Sequence, residues 1–321
     1  MKVFITGGSG YIGSNLVRSL AKKYPNWDIL SSDIKPTDEF KNLKKVKLRI
    51  LDISNRIETI NEIKKMKPDS IVHLASIINP PPGMSEETQR KIDVEGTRNV
   101  LDGALLAKTR QIIITSSGAA YGYYKDNPEW IKETDLIRGH DHFAYSKHKK
   151  EVEEMLSLYR KLHPKLTQLV LRPGTVLGPT VNNLITDLFN KKSILGISGS
   201  KSPFVFIWDK DLVNIILLGI EKKKTGVFNL AGDGALSMPE IAKILGKPYK
   251  PKPAWLLKLV LGILKPLKLS QYGPEQLDFL RYRPVLDNTS LKKDFGYKPK
   301  YTSKQAFYEF LKSKGVDYNE I

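Results

Sequence analysis

Val3-Phe4-Ile5-Thr6-Gly7-Gly8-Ser9-Gly10-Tyr11-Ile12-Gly13 is the stretch that decides the fold of this 321-residue chain. An apolar run halts at a glycine cluster and passes at once into a helical pattern (Leu16, Val17, Leu20), which is the order strand, tight turn, helix. Gly7 lets the chain turn sharply, Gly10 lets backbone approach a pyrophosphate with no Cβ in the way, and Gly13 lets helix and strand pack closely. Phosphates would sit on the helix N-terminus, where unpaired N–H groups and the helix dipole favour negative charge. Asp33 follows about twenty residues after the last glycine, ending a second apolar run (Trp27, Ile29, Leu30), where a carboxylate can accept the ribose hydroxyls of an adenosine.

Outward from this turn the chain alternates. Val46 to Ile50 reads as a strand that ends at Asp52 and Ile53; Asp52 is placed to meet an adenine amine, or to cap the next helix, Asn55 to Met66. Ile71 to Ala75 is a fully apolar strand ending in small residues, with His73 read as a packed, hydrogen-bonded core histidine. A stiff Pro80-Pro81-Pro82-Gly83 loop precedes a long helix, Glu86 to Lys108. Gln111 to Thr115 is the fifth strand and empties into Ser116, Ser117 and Gly118. A helix from Phe143 carries Tyr145 and Lys149, four apart and hence on one face, and strand Thr167 to Arg172 closes at Pro173. Strands alternating with helices predict an α/β fold, a doubly wound parallel sheet of the Rossmann kind with ligands at the carboxyl ends of its strands. Beyond Gly178 prolines and glycines multiply. Residues 1–178 plus 203–232 are therefore expected to form the dinucleotide-binding domain, and 179–202 plus 233–321 a smaller α+β substrate lobe.

Composition narrows the function classes. No cysteine means no disulfide, no thiolate metal site and no cysteine nucleophile, and suits a cytoplasmic address. No metal-ligand cluster is read. With a core strand starting next to Met1, no targeting peptide is expected, and no apolar run is long enough to span a bilayer. The 52 Lys and Arg against 34 Asp and Glu give +18. The lysines are dispersed rather than gathered with aromatics, so nucleic acid is not expected as a partner.

Tyrosine and lysine at this spacing have a chemical use. A phenol is a poor base at neutral pH, and lowering its reference pKa of about 10 to about 7 takes roughly 4 kcal/mol. A lysine ammonium one turn away, with the positive nicotinamide of an oxidised cofactor, can supply it. Ser117 at the neighbouring strand end could donate to the substrate oxygen.

The series Thr6 with the glycine triplet, Asp33, Asp52 with Ile53, His73 to Ala75, Gly96 with Thr97 and Asn99, Ser116 to Gly122, Tyr145 with Lys149, and Leu171 to Gly178 resembles, in order and spacing, the extended short-chain dehydrogenase/reductase family. That family includes nucleotide-sugar epimerases and dehydratases and 3β-hydroxysteroid dehydrogenases. The resemblance implies NAD as cofactor and a sheet of about seven strands. It implies Tyr145 as general acid or base, Lys149 on the nicotinamide ribose, and Ser117 on the reacting oxygen. Gly7, Gly10, Tyr11, Ile12, Gly13, Asp33, Asp52, Ile53, Ala75 and the backbone after Pro173 would hold the dinucleotide, and two copies would pair through the long helices.

Three positions depart from that pattern. Asp93 stands where many relatives have asparagine. Gly118 and Ala119 replace the Asp and Glu of sugar dehydratases, which argues against water elimination. Phe204 stands where nucleotide-sugar enzymes carry a phosphate-binding arginine, with Trp208 further on. The expected function is NAD-dependent hydride transfer at a secondary alcohol or ketone, the alternative a nucleotide-sugar 4-epimerase with retained NAD, and a third reading a non-catalytic dinucleotide-binding regulator. The substrate is expected to be an apolar alcohol or a nucleotide sugar. The apolar segment Trp255 to Leu264, with Lys258, Lys265 and Lys268, reads as a core helix, a pocket wall or a peripheral membrane contact.

Overall fold

A computed structural model describes residues 1–35, 37–267, 273–274 and 277–320, so Lys268 lies outside the described residues. The central sheet has seven parallel strands: β1 (Lys2–Thr6), β2 (Asp28–Asp33), β3 (Val46–Ile50), β4 (Ser70–His73), β5 (Gln111–Thr115), β6 (Thr167–Pro173) and, late in the chain, Gly226–Leu230. Numbered in chain order after β7 (Thr175–Leu177), β8 (Ile194–Ile197) and β9 (Phe206–Trp208), that last strand is β10, and β11 (Tyr249–Lys252) follows it. The order across the sheet is β10-β6-β5-β4-β1-β2-β3. The reversal beside β1 puts the glycine turn where such sheets bind ligands. β4 is buried along its whole length, as an interior parallel strand requires. Its buried polar ends are satisfied: Ser70 Oγ donates to Gln111 Oε1 at 2.9 Å, and Gln111 Nε2 donates to Gly219 O and Lys224 O at 3.0 Å.

Helices α1 (Tyr11–Lys23), α2 (Arg56–Met66), α3 (Glu86–Arg90), α4 (Gly96–Leu106) and α5 (Ala144–Leu162) accompany these strands. Asn55, not Asp52, caps α2, accepting from Glu58 N at 3.2 Å; the Asp52 carboxylate folds back to Ser54 N at 2.8 Å. The expected helix 86–108 is interrupted by a π-helical turn, Lys91–Glu95, between α3 and α4. α2 and α4 pack closely because Gly103 has no Cβ: one there would fall 2.8 Å from Ile63 Cδ1.

After α6 (Leu184–Phe189) come α7 (Asp209–Glu221), α8 (Met238–Ile244), α9 (Ala254–Leu264), α10 (Leu277–Arg281) and α11 (Ser303–Ser313). Two compact units result. The first comprises 1–117, 148–172 and 209–228; the second comprises 118–147, 173–208 and 229–321. The boundary differs from the expected one at 118–147, 173–178, 203–208 and 229–232. Physically, 118–147 carries no strand of the large sheet and hangs on the second unit. Ile131 N donates to Val285 O at 2.7 Å, and Tyr121 OH donates to Asn229 Oδ1 at 2.8 Å. That second unit is built on stacked rings, Phe204 on Phe206 at 5.5 Å and Phe206 on Phe307 at 5.6 Å, with helices opened by the capping pairs Ser237–Glu240 and Thr302–Gln305.

Candidate active site

In the first unit the glycine turn is built as its sequence requires. Gly7 has φ +70°, and a Cβ on it would lie 2.7 Å from Ala75 N; one on Gly13 would strike Gly7 O and Gly8 Cα. At Gly10 only Gly7 O, at 3.2 Å, lies within 4 Å of the Cβ position among the described residues, so backbone there faces open space. The turn is held from outside by Gly8 N donating to Ser32 O and Ser9 N donating to Asp33 Oδ2, both at 3.0 Å. Asp33 therefore stands at the tip of β2 beside the turn. Tyr11 OH donates to Asp209 Oδ2 at 2.6 Å, tying α1 to α7, while Ile12 follows in the first turn of α1.

A buried chain of polar groups backs this turn. His73 Nδ1 lies 2.7 Å from Thr6 Oγ1, which also accepts from Ala75 N at 3.3 Å. His73 Nε2 lies 2.9 Å from Thr97 Oγ1, and Thr97 donates to Asp93 O at 2.5 Å. Burial, followed by the nearby charge of Lys149, drives the His73 pKa down to about 3, so the ring is neutral. Ile53 is buried, pressed on Gly96, and its carbonyl accepts from Asn99 Nδ2 at 2.9 Å; Asp52 beside it is exposed at the end of β3.

Lys149 is almost wholly buried and donates from Nζ to Thr115 O at 3.2 Å, at the carboxyl end of β5, the strand from which Ser117 follows two residues on. Tyr145 stands one turn earlier on α5. Asp93, within the π-helical turn, accepts from Ser76 Oγ and Ile77 N through Oδ1, both at 2.8 Å; its Oδ2 faces His148 Nδ1 at 3.5 Å, with both side chains buried. Burial raises the Asp93 pKa, but His148, the charge of Lys149 and the Ile77 and Ser76 bonds outweigh it and hold the group below its ordinary value. Neither His148 nor this pairing was expected from the sequence, because the partners are 55 residues apart (148 minus 93).

In the second unit Pro173 ends β6, and Gly174 N donates to Leu230 O at 2.9 Å. Aromatic rings run on from Tyr145: Phe143 at 6.1 Å, then Phe279 at 5.4 Å from Phe143, with Tyr123 at 4.9 Å from Phe279. The guanidinium of Arg283 lies between rings, 4.4 Å from Phe279 and 3.9 Å from Phe204. Its Nε and Nη2 have no hydrogen-bond partner among the described residues, and burial lowers its pKa to about 10. Phe204 itself is 2% exposed and belongs to the phenylalanine core, so it lines no surface open to substrate; the cation expected to be missing there stands on its ring. No metal-ligating cluster exists among the described residues.

These residues fit a dinucleotide: an open backbone turn at a helix start, a carboxylate at the tip of the next strand and small residues at the end of β4. Sequence and fold comparisons point the same way. A UDP-N-acetyl-α-D-glucosaminuronate decarboxylase of Bacillus cytotoxicus is 25% identical over 268 residues, 75% of this chain and 78% of that protein. The UDP-glucose 4-epimerase of Thermotoga maritima, solved with UDP-glucose, superposes with a TM-score of 0.74 at 18% identity, covering 98% of this chain and 99% of that one. The Bordetella bronchiseptica enzyme WbmG, solved with NAD, superposes with a TM-score of 0.75 at 20% identity, covering 99% and 96%. Residues 3–231 match the NAD dependent epimerase/dehydratase family, and the chain is an NAD-dependent enzyme that belongs to it.

Proposed function

We propose that this enzyme moves hydride between a secondary alcohol, or its ketone, and NAD, with Tyr145 as general acid or base, Lys149 on the nicotinamide ribose and Ser117 donating to the reacting oxygen. The observation that carries this reading is the buried Lys149, anchored to Thr115 O at the end of β5 and one turn from Tyr145 on α5. NAD, when bound, supplies the hydride acceptor or donor. The chain's own groups bind it through the turn at Gly7, Gly10 and Gly13, with Tyr11, Ile12, Asp33, Asp52, Ile53, Ala75 and Pro173 around it. Lys149, held by Thr115 O, keeps a fixed positive charge beside the helix turn that carries Tyr145. The test is NADH formation across a panel of apolar secondary alcohols with the wild type and with Tyr145→Phe. A Tyr145→Phe enzyme that turns over at the wild-type rate overturns the assignment.

Arg283 favours a substrate with an anionic group, because its Nε and Nη2, unpartnered among the described residues, gain a charge-assisted bond from one. The Phe143, Phe279 and Tyr123 rings beside it suit an apolar or flat body. This supports the second reading, a nucleotide-sugar 4-epimerase, as well as an apolar alcohol bearing an acid group. Calorimetry with UDP and UDP-hexoses separates them. An epimerase keeps NAD through purification, forms no net NADH and loses UDP binding in Arg283→Gln.

We also infer a homodimer through α4 and α5, supported by exposed Leu106, Leu158 and Leu162 and by a cleft of about 490 Å³ between Arg90, Arg98, Glu151 and Tyr159. Sedimentation of Leu158→Glu as a monomer, against a wild-type dimer, is the expected result. The cysteine-free composition suits work in the reducing cytoplasm, and among the described residues no helix is long and apolar enough to cross a membrane.

A further inference from the structure

Helix α9 reads Ala-Trp-Leu-Leu-Lys-Leu-Val-Leu-Gly-Ile-Leu, yet not one of its residues is buried. Trp255 is 68% exposed, Leu259 56%, Ile263 55% and Val260 41%, and Leu267 just beyond is 61% exposed. At 3.6 residues per turn, Trp255, Leu259, Ile263 and Val260 fall within an arc of about 140°. Leu256, inside that arc, is half-buried, as are Leu257, Leu261 and Leu264 on the opposite side. The core-helix reading of this segment therefore fails for its outer face, because a helix supporting a core would bury that apolar arc and this one leaves four of the arc's five apolar residues exposed.

The charge around that face selects what can cover it. Between Glu240 and Glu275 the sequence has seven lysines (Lys243, Lys247, Lys250, Lys252, Lys258, Lys265, Lys268) and no carboxylate. Lys258 and Lys265 are seven apart and border the arc, and exposed Lys250 and Lys252 sit on β11 directly before α9. A second copy of the chain docking here by a two-fold axis would bring these lysines against one another. Nucleic acid would meet the lysines but has no use for a leucine, isoleucine and tryptophan face. An anionic lipid surface satisfies both, taking the apolar arc into the acyl boundary and the lysines at the headgroups, with tryptophan at the interface. Eleven residues at 1.5 Å each give about 16 Å, too short to span a bilayer of about 30 Å, so the helix would lie in the interface.

We propose that α9 is an interfacial anchor that docks this enzyme on anionic membrane surfaces. The proposal stands apart from the substrate assignment, since vesicle binding is read without turnover. Full-length protein is floated with phosphatidylcholine vesicles and with vesicles containing phosphatidylglycerol. Wild type should bind the anionic vesicles at least fivefold more strongly and shift its tryptophan emission to the blue, a shift absent in Trp255→Phe. Leu259→Gln with Ile263→Gln leaves net charge at +18 and should lower binding fivefold or more. Lys250→Gln, Lys252→Gln and Lys258→Gln together should weaken binding at least fivefold relative to the same change at exposed Lys44, Lys47 and Lys64. The leucine–isoleucine and lysine variants both replace exposed residues, and unchanged urea midpoints establish that they fold. Smaller losses, equal binding to neutral vesicles, or a self-associated wild type that the glutamine variants disperse without any vesicle binding would each overturn the proposal.

Discussion

Replacing His73 by leucine removes a neutral imidazole that links β1, β4 and α4, and the cost depends on pH in a calculable way. At pH 7 the ring contributes two buried hydrogen bonds, to Thr6 and Thr97. Each is worth about 1 kcal/mol net, so His73→Leu should be less stable by roughly 2 kcal/mol. Burial depresses the folded-state pKa to about 3, against an unfolded value of 6.5. Below pH 6.5 the unfolded chain takes up a proton that the folded chain refuses, so this contribution is complete above 6.5 and is lost as pH falls towards 3. At pH 5 the difference of 1.5 pH units costs the wild type about 2 kcal/mol that the leucine variant does not lose. The stability gap between the two proteins should therefore close near pH 5 and reverse at pH 4. Urea unfolding at pH 7, 5 and 4 measures it, with other titrating groups common to both proteins cancelling. A gap that stays at its pH 7 value down to pH 4 would refute the neutral, desolvated histidine.

Tyr145→Phe should abolish turnover with NAD affinity nearly unchanged, whereas Lys149→Ala should damage both; fluorescence titration of NAD beside a turnover assay distinguishes the two outcomes. Gly7→Ala forces a side chain into φ +70° and against Ala75 N, and should lower stability by about 1–2 kcal/mol or more and weaken NAD binding. Glu153→Gln breaks the buried pair in which Arg172 Nε and Nη2 donate to Glu153 at 2.8 and 2.9 Å. A loss of about 3–5 kcal/mol in urea is expected, and a loss below 1 kcal/mol would show that the pair is solvated. Asp33→Asn should narrow the preference for NAD over its 2′-phosphorylated form, and equal binding of both by the wild type would remove Asp33 from cofactor choice.

The parts of this protein legible in its sequence are those where one local segment carries the whole constraint. The glycine turn is such a case: its positive φ at Gly7 and its open backbone at Gly10 follow from residue types a few positions apart. Tyr145 and Lys149 are another, because one helix fixes their spacing. Long-range partners were not legible. Arg283 and Phe204 are 79 residues apart (283 minus 204), and nothing at either position says that the cation will stand on that ring. Asp52 and Asn55 are both good capping residues, and only the chain path decided for Asn55. The α9 segment shows the limit most clearly, since the same leucines suit a core or a lipid surface and burial alone separates them.

Asp93 shows how a buried carboxylate is accommodated. An asparagine there could donate through its amide; a carboxylate cannot, and a buried one carries a charge that has to be balanced. Ser76 Oγ and Ile77 N donate to Oδ1, and His148 Nδ1 stands 3.5 Å from Oδ2 without a hydrogen bond to it. Lys149, the next residue after His148, adds the positive charge that helps keep the carboxylate ionised. The segment that Asp93 holds, Ser76 and Ile77, directly follows Ala75, against which Gly7 is packed. A single aspartate thus connects the π-helical turn before α4 to the glycine turn, through a segment already fixed at its other end by Thr6 and His73. The buried carboxylate is accommodated because His148 faces it and Lys149 supplies a nearby positive charge. On that account Asp93→Asn removes the carboxylate that His148 faces and that Lys149 helps to keep ionised, and it should disrupt this buried junction.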